Sequence, residues 1–240
     1  MNVKFILSFV WFYGISNIRR GWIYVLGYLA SPLALLFLIY IVSRGALLDY
    51  AIIGGLLSVV AENGLISLTD FAFLRMELHL QDLLVTTEIG PQEYILGLVL
   101  SNLVFSLPGI ILYVFLSIFE GILNVISLAE ILGISLILLI STSGLGFLIA
   151  SYLPHVRYSW GIASILPVLF IAIPPLFYPY SMLKGWEVYV LSLIPTTSAA
   201  ILAQGAAGLG EEDLLFLIPL FIETIIFYLL SIKKSRWTQL

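Results

Sequence analysis

The chain has 240 residues, 61% of them hydrophobic and 10% charged, with a mean hydropathy of +1.13 and a net charge of -4. That balance excludes a soluble globular domain of this size and predicts an integral membrane protein, with no basic patch for nucleic acid. The sequence contains no cysteine, so it has no disulfide framework and no thiolate chemistry.

A helix needs about 20 mainly apolar residues to cross a hydrocarbon core of about 30 Å. Six runs meet that requirement, at roughly 22–42, 51–74, 94–117, 126–152, 159–178 and 213–232. The whole of 1–240 is therefore predicted to be one all-α transmembrane domain with six spans. Ahead of the first span, Lys4, Trp11, Phe12, Tyr13, Asn17, Arg19 and Arg20 give residues 1–20 the pattern of an amphipathic interface helix. The arginine pair follows the apolar part and no small-residue cleavage site comes after it, so the segment is read as retained.

The first span carries Ser31-Pro32, which predicts a kink packed against a neighbour. The second is the least apolar. Asn63, Ser67 and Asp70 fall at i, i+4 and i+7 on one face, with Glu62 and Thr69 beside them. Ionisable groups at membrane depth are costly and commonly mark a pathway, which makes Glu62, Asn63 and Asp70 transport-pathway candidates and Glu62 a candidate proton relay. Hydrogen bonding between helices is the alternative for the same side chains, and Asp70, close to Arg75 in sequence, also reads as an interfacial charge.

Between the second and third spans the charge density rises: five of the fourteen acidic residues lie from Asp70 to Glu93. Met76, Leu80, Leu83 and Leu84 recur at helical spacing, with Glu77, Gln81 and Asp82 largely opposite, so a short amphipathic helix is predicted across the membrane surface. Gly90 suits an N-cap, Pro91 a first helical position and Glu93 the positive end of the next helix.

Asn102, Ser106 and Pro108-Gly109 mark the third span. In the fourth, Gly146 and Ala150 predict a close packing face. His155, in the loop at 153–158, and His79 lack metal-ligand spacing. Pro167, Pro174, Pro175 and Pro179 cannot share one straight helix, so 179–211 is predicted to form short re-entrant or interfacial helices. Glu211, Glu212 and Asp213 then open the sixth span. With both termini cytoplasmic, eight of the ten Lys and Arg residues (Lys4, Arg19, Arg20, Arg75, Arg157, Lys233, Lys234 and Arg236) lie inside, and Arg44 and Lys184 outside.

No phosphate-binding loop, His-Glu-x-x-His or nucleophile elbow occurs in the sequence. The order of features instead resembles the permease subunit of ATP-binding-cassette exporters of the type-2 class. In that family the loop between spans two and three reads like Glu-x-Gly-Thr-x-Glu-x-Leu-Leu-x-Thr-Pro, followed by Glu-x-x-x-Gly-Lys. Here Glu77, Asp82, Leu83-Leu84, Thr86 or Thr87, Glu93 and Gly97 are similar to it. Leu78-His79 replaces Gly-Thr, Glu88 stands where proline is usual, and Leu98 where lysine follows glycine. A later Pro-Pro-x-x-Tyr-Pro run with Leu-x-Gly-Trp appears as Pro174-Pro175-Leu176-Phe177-Tyr178-Pro179 and Leu183-Lys184-Gly185-Trp186, and Ile194-Pro195-Thr196-Thr197 resembles the family's Asn-Pro-x-Thr.

The resemblance implies that residues 75–90 form a coupling helix docking on a separate cytosolic ATPase, present in two copies and carrying the ATP-Mg. Arg75, Glu77, Leu80, Asp82, Leu83, Leu84, Thr87 and Glu88 would make that contact. It implies a second permease chain as homo- or heterodimer, surrounding lipid, and a cell-membrane location. It also implies an outer gate at Pro174, Pro175, Phe177 and Tyr178. The cargo expected is an amphiphile (a drug, a lipid or a lipid-linked glycan), with no catalytic residue, cofactor or metal in this chain. The competing readings are an ion-coupled secondary transporter using Glu62, Asp70 and Glu223, and a membrane enzyme or scaffold; the enzyme lacks an interfacial cluster of His, Asp or Cys.

Overall fold

The computed structural model describes residues 2–234, and for Arg20, Trp22 and Tyr24 the backbone alone; Arg236 lies outside the described residues. It is helical throughout, with no strand among the described residues. The N-terminal region runs α1 (Val3–Phe9), a π-helical stretch (Val10–Ile15) and α2 (Ser16–Arg20). Two long helices follow, α3 (Trp22–Ser43) and α4 (Leu48–Met76), then the short α5 (Leu80–Val85) and two more long helices, α6 (Pro91–Phe119) and α7 (Val125–Tyr152). The last third holds α8 (Val156–Pro167) with a π-helical extension (Val168–Ala172), then α9 (Gly185–Leu191), α10 (Pro195–Ala206) and α11 (Leu217–Lys233).

Five helices are long and apolar enough to cross a membrane: Val25–Ser43, Leu48–Met76, Pro91–Phe119, Val125–Tyr152 and Leu214–Lys233. The chain is a multi-pass membrane protein. The run expected at 159–178 takes a different form, a shorter apolar helix over Val156–Ala172. Pro167 has no N–H to give, the helix widens into π turns immediately after it, and Pro174-Pro175 follow.

Helix α4 is the axis of the bundle. In its most apolar window 94% of residues are buried, against 6% for the first long helix, and α4 packs on α3, α6, α7, α8 and α10. A helix surrounded on all sides needs small residues where neighbours come closest. At Gly54 a Cβ would sit 2.1 Å from the backbone oxygen of Leu176, and at Gly64 one would sit 2.0 Å from Oγ1 of Thr142. Two apolar clusters stack along this axis. One joins Ile52, Leu56, Tyr113, Leu138, Phe177 and Ile201. The other joins Phe9, Phe71, Leu84, Tyr94 and Phe147.

The helix boundaries follow from local chemistry. Gly90 precedes α6 in an extended conformation, Pro91 takes its first position, and the Gly90 N–H donates to Glu93 at 3.1 Å. Asn124 caps α7 by accepting from the Ile126 and Ser127 N–H groups at 2.8 and 3.0 Å. The tight turn between α3 and α4 is made by Arg44 and Gly45, both with positive φ.

Candidate functional site

The irregular segments lie at opposite ends of α4, and the expected coupling and gate residues lie on them. At the α5 end, α4 continues to Met76, so Arg75 and Met76 belong to the long helix and the short helix is confined to 80–85. The Arg75 guanidinium, which lines one small cavity with Gln81 of α5, donates to the backbone oxygens of Ser151 at 2.8 Å, Ala150 at 3.3 Å and Leu153 at 3.4 Å. These carbonyls lie where α7 ends, so Arg75 ties α4 to α7 inside the chain.

The faces of α5 differ from the predicted pattern. Gln81, expected on the polar side, is buried, and Leu84, expected as an anchor for a partner, is 9% exposed within the chain's own second cluster. Leu80 is half-buried, whereas Leu83 is 63% exposed and Leu78 stands exposed beside it. Six residues do not span two turns, so helical spacing could not fix which side faces inward. Glu77, Thr87 and Glu88 are exposed. Asp82 is engaged by His79, whose Nδ1 lies 3.1 Å from its carboxylate. Thr87 donates to the Leu84 oxygen at 2.7 Å and accepts from the Ile89 N–H at 3.2 Å, closing the turn into α6.

Alongside, a cleft of about 680 Å³ runs between Met76 and Glu77 on one side and Pro154, His155, Arg157 and Tyr158 on the other. The N-terminal region joins the same end, because the Asn2 N–H donates to Glu93 at 3.3 Å and α1 packs on α6.

At the opposite end, residues 174–177 are buried against Gly54. Pro174, Pro175 and Phe177 face the chain's own core, and Tyr178 is half-buried. Tyr178 donates to the Ile173 oxygen at 2.7 Å; burial, and Glu187 after it, hold its phenol above the ordinary range, so it stays a donor. Gln204 of α10 organises this segment. Its amide nitrogen donates to the oxygens of Pro175 at 2.6 Å and Tyr178 at 3.0 Å, and its oxygen accepts from the Tyr180 N–H at 3.1 Å. Broken backbone survives at membrane depth only when such partners exist. The signal for Gln204 was present in the sequence, as one amide in an otherwise apolar and small-residue run.

The three expected pathway residues separate. Glu62 is the midpoint of α4 and 7% exposed; Ser31 of α3 lies near its carboxylate, and one carboxylate oxygen has no hydrogen-bond partner. Asn63 donates to the Val59 oxygen of its own helix at 2.9 Å. Asp70 is the residue that borders open space, between one cavity of about 430 Å³ toward Trp160 on α8 and another of about 340 Å³ toward the N-terminal region. The Tyr13 phenol lies beside it, while Arg75, five positions on, reaches the end of α7. Burial, reinforced by that carboxylate, keeps the Tyr13 phenol far above its ordinary range. Among the described residues no group of three or more His, Cys, Asp or Glu is arranged to hold a metal ion. A comparison with protein-family models and with curated proteins returns no match to this chain.

Proposed function

We propose that the chain is the permease subunit of an ATP-binding-cassette exporter of the type-2 class, moving an amphiphilic cargo and driven by a separate ATPase. The observation that carries this reading is the short helix α5 between the second and third long helices, with exposed Leu78, Leu83, Glu77 and Glu88 next to an open cleft. Apolar side chains ringed by charge on a bundle end suit a helix-in-groove contact with a soluble partner. In this reading α5 is the coupling helix, with Leu83 as its anchor; Arg75 and Leu84 hold it rigidly to the bundle instead of touching the partner.

The order of elements supports the same reading. Counted as a crossing, Val156–Ala172 is about 25 Å long, which gives six spans after an N-terminal interface region. The α9 and α10 helices then form the re-entrant segment on the outer side. Positive residues crowd the α5 end, which is cytoplasmic in this account, as are both termini. Phe177 and the prolines form an outer gate that opens only by moving residues 174–178 as a unit. Two ATPases binding ATP-Mg and a second permease chain complete the transporter.

Reversing charge at Glu77 and Glu88 together tests the reading. The expected result is normal membrane insertion with loss of a co-purifying soluble ATPase that carries a phosphate-binding loop. Transport by the purified chain alone, without ATP and sensitive to Glu62→Gln, would establish the ion-coupled carrier instead. The unpaired Glu62 oxygen at mid-helix is the observation favouring that second reading.

A further inference from the structure

The cavity of about 340 Å³ between the N-terminal region, α3, α4 and α6 has an unusual lining: a single carboxylate, Asp70, among the rings of Phe12, Tyr13, Tyr28, Phe73 and Phe105. Asn17 contributes one amide, and among the described residues no basic side chain lines it. The rings are mutually braced, with Phe105 6.4 Å from Tyr13 and 6.0 Å from Tyr28, centroid to centroid. The Tyr13 phenol lies beside the Asp70 carboxylate, close enough to interact with it. Asp70 makes no salt bridge among the described residues.

A carboxylate beside aromatic faces is the chemistry that recognises an organic ammonium, because ring quadrupoles and the negative charge both favour a weakly hydrated cation. Two of its lining rings are open to the outside, Phe12 at 69% and Phe73 at 47% exposure, so its edge is apolar. Asp70 lies six positions before Met76, about 9 Å along the helix axis from the end of α4. That is headgroup depth rather than mid-bilayer, where a charged head with an apolar tail is at home.

We infer that this cavity binds the ammonium head of a membrane amphiphile, with Asp70 as counter-ion, Tyr13, Tyr28 and Phe105 as the ring wall, and the tail leaving between Phe12 and Phe73. The site belongs to this chain alone and holds whether or not an ATPase drives it. Its source is either a resident aminolipid or a free cationic amphiphile.

Native mass spectrometry of the full chain released from an uncharged detergent tests the site, with phosphatidylethanolamine, phosphatidylglycerol, dodecyltrimethylammonium and dodecyl sulfate as probes. Wild-type chain should hold one ammonium amphiphile. Asp70→Asn should weaken that binding on the order of tenfold, and Tyr28→Leu by roughly threefold. Tyr28→Leu leaves the carboxylate and the neighbouring Tyr13 in place, so the test survives if Asp70→Asn does not fold. Selective retention of phosphatidylethanolamine supports the site with a lipid headgroup as source; binding of dodecyltrimethylammonium alone supports it with a free amphiphile. Equal binding of the anionic probes, or undiminished binding in the variants that fold, overturns it.

Discussion

At the α9 end the chain turns its irregular backbone inward: residues 174–177 are buried against Gly54, and Gln204 takes up the oxygens of Pro175 and Tyr178. At the α5 end the irregular backbone is held from beneath, by Arg75 on the α7 carbonyls and Leu84 in the core, while Leu78, Leu83, Glu77 and Glu88 face out. Both ends interrupt long helices with short ones, and both must satisfy the freed polar groups. The difference is what remains exposed. Segment 174–177 is closed by its own chain, although α9 and the turn after it expose Trp186, Tyr189, Val190 and Leu193; the α5 end instead leaves Leu78 and Leu83 exposed among acidic side chains.

Substitutions that force the α9 end open should have the largest effect. Gly54→Leu drives a side chain into the Leu176 backbone, 2.1 Å from where its Cβ would lie; an expected loss of about 3 kcal/mol would be read as a collapsed thermal transition in detergent. Gln204→Leu keeps the volume but strands the Pro175 and Tyr178 carbonyls and the Tyr180 N–H, at an expected cost of about 2 kcal/mol in the same assay. Arg75→Met removes one good and two long hydrogen bonds from the other end, costing about 1.5 kcal/mol and also loosening α5, so hydrogen exchange at 80–85 should rise. Leu83→Asp should shift stability by no more than about 0.5 kcal/mol while abolishing association with the ATPase. A large stability loss in Leu83→Asp would mean that α5 is closed by its own chain as segment 174–177 is, and the contrast would fail.

The helices were legible wherever length and apolarity were enough, and so were the breaks at Pro174-Pro175 and the Gly90-Pro91 start of α6. Which face of each helix points inward was less so. A helix buried on every side, like α4, has no apolar stripe to betray its orientation; nothing in the sequence marked Gly54 and Gly64 as contact points rather than ordinary small residues. In α5 the chain is too short for periodicity, and Gln81 went inside with its apolar neighbours. Asp70 and Arg75 invited pairing by proximity, but five positions turn a helix by about 140°, which carries one toward Tyr13 and the other toward α7. Glu62, expected as an acid at membrane depth, is the buried midpoint of α4, and the open space along that helix lies at Asp70 instead.

Photo-crosslinking from a reactive amino acid placed at position 83, with position 177 as the matched control, tests the central claim most directly. The account predicts that position 83 captures a soluble ATPase bearing a phosphate-binding loop and that position 177 captures only its own chain. Crosslinks from position 83 confined to lipid or to the same chain would contradict it.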